Sequence, residues 1–235
     1  MPIKPLYYLL LCISLLACGS SDEDWLKEAK KRFEAKDWAG TKQALSKSLE
    51  KNPGLAEAHN LLGVVAYQEK DKTAAEGHYQ AALRYNPMLL QAHLNLGLLA
   101  MEAQDWNKAA GLLAKAKRIA PDSAAVYLKS GIVAAALGNP KQALEDFNTC
   151  IQLDPKQTDA WYNRGNIRYQ QEKLGDAIQD FEKAINLAPD FAKAYYALGL
   201  CYYQTKEQEK ACLSLKQARQ LGYPAANDAL KKLCP

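Results

Sequence analysis

Residues 161–189 read WYNRGNIRYQQEKLGDAIQDFEKAINLAP, and this stretch is one unit of a pattern that runs along most of the chain. Prolines recur every 34 residues, at Pro53, Pro87, Pro121, Pro155 and Pro189. Glycines keep the same period, at Gly63, Gly97, Gly131, Gly165 and Gly199. Two such series in a fixed phase indicate an internal repeat with the length of a helix-turn-helix unit.

Each unit predicts two amphipathic helices separated by a short polar turn. In the second unit these helices cover Ala56 to Glu69 and Lys72 to Tyr85. The second helix must end before the proline, which lacks an amide hydrogen and disfavours helix in the residue before it. The same proline then begins the next unit.

The residue types at fixed positions of the unit resemble the tetratricopeptide repeat (TPR) family. A large residue opens each first helix: Trp25, His59, His93, Tyr127, Trp161 and Tyr195. A small residue follows four positions later, Ala29 and then the five glycines. On the second helix, small residues flank a large apolar one, as Ala177, Phe181 and Ala184 do in the fifth unit. The resemblance implies an all-α fold, a right-handed α-solenoid of six repeats.

The repeat pattern divides the chain into nine segments. We predict a signal peptide at 1–17, a lipidated cysteine and linker at 18–21, repeats at 22–55, 56–89, 90–123, 124–157, 158–191 and 192–224, and a capping helix at 225–235. The sixth unit has Tyr223 at the proline position, with Pro224 one residue late. Residues Ala225 to Leu233 form an amphipathic pattern that would cover the apolar edge of the last repeat, as solenoids require.

The N-terminal segment resembles a bacterial lipoprotein signal. The apolar run Leu6 to Leu16 is too short to span a bilayer as a helix, and it ends in Leu15-Leu16-Ala17-Cys18. The resemblance implies cleavage before Cys18 and acylation of its thiol with a diacylglycerol carrying fatty chains such as palmitate. Two alternatives are an ordinary secretory signal and a short anchor that is never removed.

The residues after Cys18 bear on location within the bacterial cell envelope. Gly19 stands where an aspartate would favour inner-membrane retention in enterobacterial lipoproteins, so the resemblance implies an outer-membrane protein facing the periplasm. Asp22, Glu23 and Asp24 resemble the acidic stretch that directs some lipoproteins to the cell surface, which is the alternative location. Acidic residues are also favoured in a first helical turn.

Composition argues against a nucleic-acid partner. Loss of residues 1–17 removes one lysine from 30 basic and no residue from 26 acidic side chains, which leaves a formal charge of +3. The most basic-looking stretch, Lys27 to Arg32, contains Glu28 and precedes Glu34, so it is typical of a solvated helix face.

Cysteines predict a disulfide at the C-terminal end. Cys212 and Cys234 would join the capping helix to the last repeat, in a compartment that permits disulfides. Cys201 with Cys212 is the competing pair. Cys150 occupies a small-residue position of the repeat, which predicts burial in the helix interface.

No residue pattern indicates an enzyme, a cofactor or a metal site. His59 and His93 occupy the position that other units fill with tryptophan or tyrosine, so they are packing residues first. His78 lies on a second helix with no nucleophile at a telling spacing. The glycines of the repeat lie inside helices and form no phosphate-binding loop.

The resemblance implies a protein-binding surface on the concave side, which first helices line. The candidate partner-binding residues are Tyr67, Tyr162, Asn166, Tyr169, Tyr196 and Tyr203. Tyrosine combines a large, stiff contact area with a polar tip. We therefore predict a membrane-tethered, non-catalytic scaffold that binds a protein or peptide partner. The alternative is a structural subunit or pilotin-like assembly factor of an envelope machine that uses its convex face, and self-association stays open.

Overall fold

The computed structural model describes residues 21–234, and this range consists of helices joined by short turns. The helices are α1 Asp22–Glu34, α2 Trp38–Lys51, α3 Ala56–Gln68, α4 Lys72–Tyr85, α5 Leu90–Glu102, α6 Trp106–Ile119, α7 Ala124–Ala136, α8 Pro140–Leu153, α9 Thr158–Gln170, α10 Leu174–Leu187, α11 Ala192–Gln204, α12 Gln208–Gln220 and α13 Ala225–Leu233. The fold is the predicted all-α repeat solenoid.

The turn inside each repeat has a constant conformation. A residue with positive φ ends the first helix: Lys36, Lys70, Gln104, Gly138, Glu172 and Lys206. In the first four repeats the following residue caps the second helix with its side chain. Asp71 Oδ1, for example, accepts a hydrogen bond from the Ala74 amide at 2.9 Å. Such a cap satisfies a backbone donor that the helix leaves free.

In three repeats, the large residue near the start of the first helix contacts the carbonyl oxygen of the preceding proline. His59 Nε2 lies 2.9 Å from the Pro53 carbonyl oxygen. Trp161 Nε1 donates to the Pro155 carbonyl at the same distance. His93 makes the matching contact with Pro87. The structure thus confirms that these two histidines take the place of tryptophan in the packing of the repeat.

Small residues let the two helices of a repeat approach closely. At Gly131, a Cβ atom would lie 2.5 Å from the Phe147 ring, which is fully buried. Cys150 is also fully buried beside Tyr127 and Trp161, as its position in the repeat predicts. A glycine at such a position is therefore a packing requirement.

Helix pairs stack in chain order, and each packs on the next. The first helices of successive repeats also contact one another, as α3 does with α5, and α9 with both α7 and α11. First helices therefore line the inner, concave side of the solenoid, and second helices form its convex side. Capping helix α13 packs on α12 and buries Leu230 against Leu215.

The first helix begins at the predicted residue. Ser21 Oγ accepts a hydrogen bond from the Asp24 amide at 3.0 Å, and Asp24 accepts one from the Ser21 amide at 2.8 Å. Asp24 thus belongs to a capping box. The predictions for 1–17, Cys18 and Gly19 lie outside the described residues. Within residues 21–234, no helix combines the length and apolarity needed to cross a membrane.

Candidate partner-binding groove

Hydrogen bonds join neighbouring first helices across the floor of the concave groove. Asn95 Nδ2 donates to Asn60 Oδ1 at 3.0 Å, and Gln204 Nε2 donates to the Tyr169 hydroxyl at 2.6 Å. The Tyr67 hydroxyl donates to Glu102. Each bond connects a residue with the one 35 positions later. Hydrogen bonds therefore connect neighbouring helices along the groove floor, and some of its polar groups already have partners within the protein.

Two of the candidate tyrosines are held by packing. The Tyr162 ring lies 5.9 Å from the Phe181 ring and 5.0 Å from the Phe191 ring, centroid to centroid. The Tyr196 ring lies 4.9 Å from that of Tyr223, next to the capping helix. Aromatic pairs at these separations stabilise each other. Both side chains thus contribute to folding, and only their remaining exposed parts face the groove.

Tyr169 and Tyr203 occupy equivalent positions of the fifth and sixth repeats, on α9 and α11. Burial raises the pKa of Tyr169 above its ordinary value, and its hydroxyl accepts the bond from Gln204. Tyr203 is 42 % exposed, the most accessible of the six candidates. Asn166 is half-buried on α9. These three side chains offer an amphipathic surface of neutral hydrogen-bonding groups.

The structure places five of the six candidates on the adjacent helices α9 and α11. Tyr67 lies apart from them on α3, three repeats away. Its hydrogen bond with Glu102 raises the pKa of Tyr67. Glu102 also pairs with Lys72 at 2.7 Å, and the bonds from Lys72 and Tyr67 lower the pKa of Glu102. Tyr67 is therefore part of a separate polar cluster.

Sequence reasoning missed the residues that hold the tyrosines in place. Glu102 and Gln204 occupy the same position of their repeats, one residue after the tyrosine position. Phe191 precedes α11 and supports Tyr162. A search for polar pairs separated by one period plus one residue would have found the first two. No periodic signal marks Phe191, because the other repeats carry mainly leucine, serine or glutamine there.

Chemically reactive groups are few in the described part of the chain. Burial raises the pKa of Cys150 to about 11 and that of Cys201 to about 12, so both are thiols at neutral pH. Burial lowers the pKa of His78. Within residues 21–234, no group of histidine, cysteine, aspartate or glutamate side chains is arranged to hold a metal ion.

The C-terminal cysteines lie as the favoured pairing requires. Cys212 on α12 and Cys234 after α13 are joined, with a Cα–Cα distance of 5.7 Å. Cys201, the competing partner, is buried on α11 with a free thiol. The bridge spans the contact between the capping helix and the last repeat.

Family models identify the repeats independently. One tetratricopeptide repeat model matches residues 26–87 and 71–124, a second matches 124–157 and 192–221, and a TPR repeat model matches 165–206. The chain belongs to the tetratricopeptide repeat family. No curated protein sequence matches it significantly.

Solved structures of TPR proteins share the fold. PilF of Pseudomonas aeruginosa is similar with a TM-score of 0.79 and 19% identity, over 90% of this chain and 96% of that one. YrrB, described as a TPR protein with an unusual peptide-binding site, has a TM-score of 0.69 and 22% identity, over 81% and 98%. MamA has a TM-score of 0.64 and 25% identity, over 71% and 97%. Together with the family models, this fold supports a protein–protein interaction scaffold, and TPR proteins bind protein or peptide partners.

Proposed function

We propose that this scaffold binds an extended segment of a protein partner in the concave groove over α9 and α11. The observation that carries the proposal is the pair of equivalent tyrosines, Tyr169 and Tyr203, that lies beside Asn166 on this surface. Their rings offer apolar area, while the hydroxyls and the amide can pair with the backbone of an extended peptide. The fold is typically a non-catalytic scaffold, and we propose no reaction.

Rigid support makes this part of the groove suitable for binding. Tyr162 is wedged between Phe181 and Phe191, and Tyr196 against Tyr223. Side chains that are already ordered lose little entropy when a partner binds, so more of the contact energy contributes to affinity. The peptide-binding site attributed to YrrB supports a peptide as the partner's form.

We also propose that the solenoid is tethered to the bacterial envelope through lipid on Cys18, at the outer membrane and facing the periplasm. The support is the Leu15-Leu16-Ala17-Cys18 sequence and the absence of an aspartate at Gly19. Two or three fatty chains hold a protein stably at a membrane, whereas one holds it marginally. Because α1 begins at Asp22, the first repeat would lie near the membrane surface.

In-cell crosslinking of the Asn166→Ala and Tyr203→Ala double variant tests the groove. These positions avoid Tyr162 and Tyr196, whose truncation would disturb packing. We expect the partner captured by the native chain to be lost, because the variant removes the exposed hydrogen-bonding surface. Leu213→Ala is the control: Leu213 is 71 % exposed on α12, a convex-side helix.

The two variants distinguish the two binding modes. Capture that survives the groove substitutions and is lost with Leu213→Ala would refute the groove and favour the structural-subunit alternative with its convex interface. Circular dichroism of both variants must show native helix content, since unfolding would abolish either interface.

A further inference from the structure

Two aspartates occupy the same position of successive repeats on the convex-side helices. Asp146 on α8 and Asp180 on α10 are 34 residues apart and are only 2 % and 1 % exposed. A carboxylate this deeply buried requires ion pairs and hydrogen bonds to offset the loss of water. The two repeats meet this requirement differently.

Asp180 is fully partnered by two arginines of α9. Arg164 bonds both of its oxygens, with Nη2 to Oδ1 at 2.6 Å and Nε to Oδ2 at 3.0 Å. Arg168 Nη1 donates to Oδ2 at 2.7 Å. This position of the repeat can thus hold one carboxylate between two guanidinium groups.

Asp146 has partners on one oxygen alone. Lys117 and Gln142 both donate to Oδ1, the latter at 3.3 Å. Its Oδ2 is buried and accepts no hydrogen bond from any residue of 21–234. The positions equivalent to Arg164 and Arg168 are Ser130 and Ala134. Side chains too short to reach the carboxylate therefore replace both arginines.

A cavity of about 530 Å³ borders Ser130 and Ala134, the two residues that stand in place of those arginines. It is bounded by α6, α7 and α8, and its walls include Lys117, Ser130, Ala134, Asn139 and Gln142. Because α6 and α8 are second helices, the cavity opens on the convex side. Asp146 does not itself line the cavity, but Lys117 and Gln142 both line it and contact the Asp146 carboxylate.

We propose that this cavity binds the guanidinium group of an arginine side chain supplied by a protein partner, with Asp146 as its counter-ion. Asp146 would then have two positively charged neighbours, Lys117 and the guest, just as Asp180 has Arg164 and Arg168. Oxygen atoms of Ser130, Asn139 and Gln142 can accept further N–H groups of the guest. The Lys117 Nζ also lies 5.2 Å from the Tyr127 ring centroid, within the range of a cation–π contact. The site is separate from the concave groove.

Calorimetric titration of the full chain in detergent tests the proposal with two blocked tripeptides, Gly-Arg-Gly and its citrulline counterpart. Citrulline has nearly the same shape and no charge. We expect the arginine peptide to bind at least about tenfold more tightly, as a charge-assisted hydrogen bond would give. Asp146→Asn should lose this preference. Glu145→Gln, which removes an exposed charge next to it, should keep it.

Ser130→Arg provides a test that does not depend on removing the carboxylate. It places an arginine where Arg164 stands in the next repeat, so it should fill the cavity, raise the melting temperature and abolish peptide binding. Failure of the arginine peptide to bind, equal binding of the two peptides, or unchanged binding by Ser130→Arg would overturn the proposal.

Discussion

The five glycines of the repeat do not all face the same constraint. A Cβ atom at Gly63, Gly131 or Gly165 would lie 2.5 to 2.8 Å from the facing aromatic ring. At Gly97 the nearest atom is a Leu113 methyl carbon at 3.8 Å, an ordinary contact distance. The size and placement of the facing residue thus decide whether the position requires glycine or could also hold alanine.

Alanine at Gly97 and at Gly131 should therefore have opposite effects on the free energy of unfolding. Gly97→Ala removes backbone freedom from the unfolded chain and should stabilise by roughly 0.5–1 kcal/mol. Gly131→Ala forces the buried Phe147 ring to move and should destabilise by about 1–3 kcal/mol. Urea unfolding followed by circular dichroism measures both. Effects of the same sign would contradict this account of the close approach.

At the scale of a helix, the two ends of the array differ in how they are closed. Helix α1 begins with a capping box made from Ser21 and Asp24. The hydrogen bonds from Ser21 lower the pKa of Asp24, so Asp24 keeps its charge throughout mildly acidic pH. Helix α13 has no side-chain cap and only nine residues, too few to be stable alone. Its stability must come from burial against α12 and from the disulfide.

The disulfide should be decisive for the capping helix. Peptide mapping without reductant should find Cys212 linked to Cys234, with Cys150 and Cys201 free. Closing a loop of this length lowers the entropy of the unfolded chain, which stabilises the folded state by about 3 kcal/mol. Cys234→Ser should therefore raise the hydrogen exchange of α13 strongly while α5 stays protected.

Cys150→Ala is the matched control for that experiment. It removes a cysteine outside the bridge and introduces the residue that neighbouring repeats have at this position, Ala116 and Ala184. We expect α13 to exchange as in the native chain. A free Cys234 thiol in the native protein would rule out the disulfide between Cys212 and Cys234.

At the scale of the whole molecule, neighbouring repeats are connected by ion pairs and hydrogen bonds in addition to apolar contacts. Lys30 pairs with Glu57 at 2.8 Å, and Lys42 with Glu69 at 2.7 Å, in both cases between the first and second repeats. These side chains are about half exposed, so each pair contributes little alone. The stability of the array rests mainly on the apolar faces that neighbouring repeats bury.

At the scale of the whole chain, the proposed membrane attachment would depend on a single atom, the sulfur of Cys18. Without the Cys18 thiol no diacylglycerol can be attached, so Cys18→Ser should move the protein from the membrane fraction to the soluble fraction of a bacterial host. Cys12→Ser, inside the leader, should leave it in the membrane fraction. Fractionation with palmitate labelling measures both. Retention of Cys18→Ser in the membrane would favour the uncleaved anchor.

Several features could be predicted because they depend on residues close in sequence. The period of 34, the helix pairs and the bounds of α13 follow from proline, glycine and apolar spacing. The histidine positions followed from equivalence with tryptophan, and their bonds to Pro53 and Pro87 confirm it. Contacts between repeats could not be predicted this way. Glu102 reaches Tyr67 only because adjacent first helices stack at a particular offset.

The sequence by itself determined the repeat, the fold and the family, because a 34-residue period repeats the same local choices six times. Tertiary structure alone decided which groups are left for function. It buries part of Tyr162 and Tyr196 in packing and leaves Tyr203 exposed. Within residues 21–234, it also leaves one oxygen of Asp146 without a partner where Asp180 has two arginines. These differences arise from side chains meeting across helices, since the space at each meeting depends on the residues of more than one element.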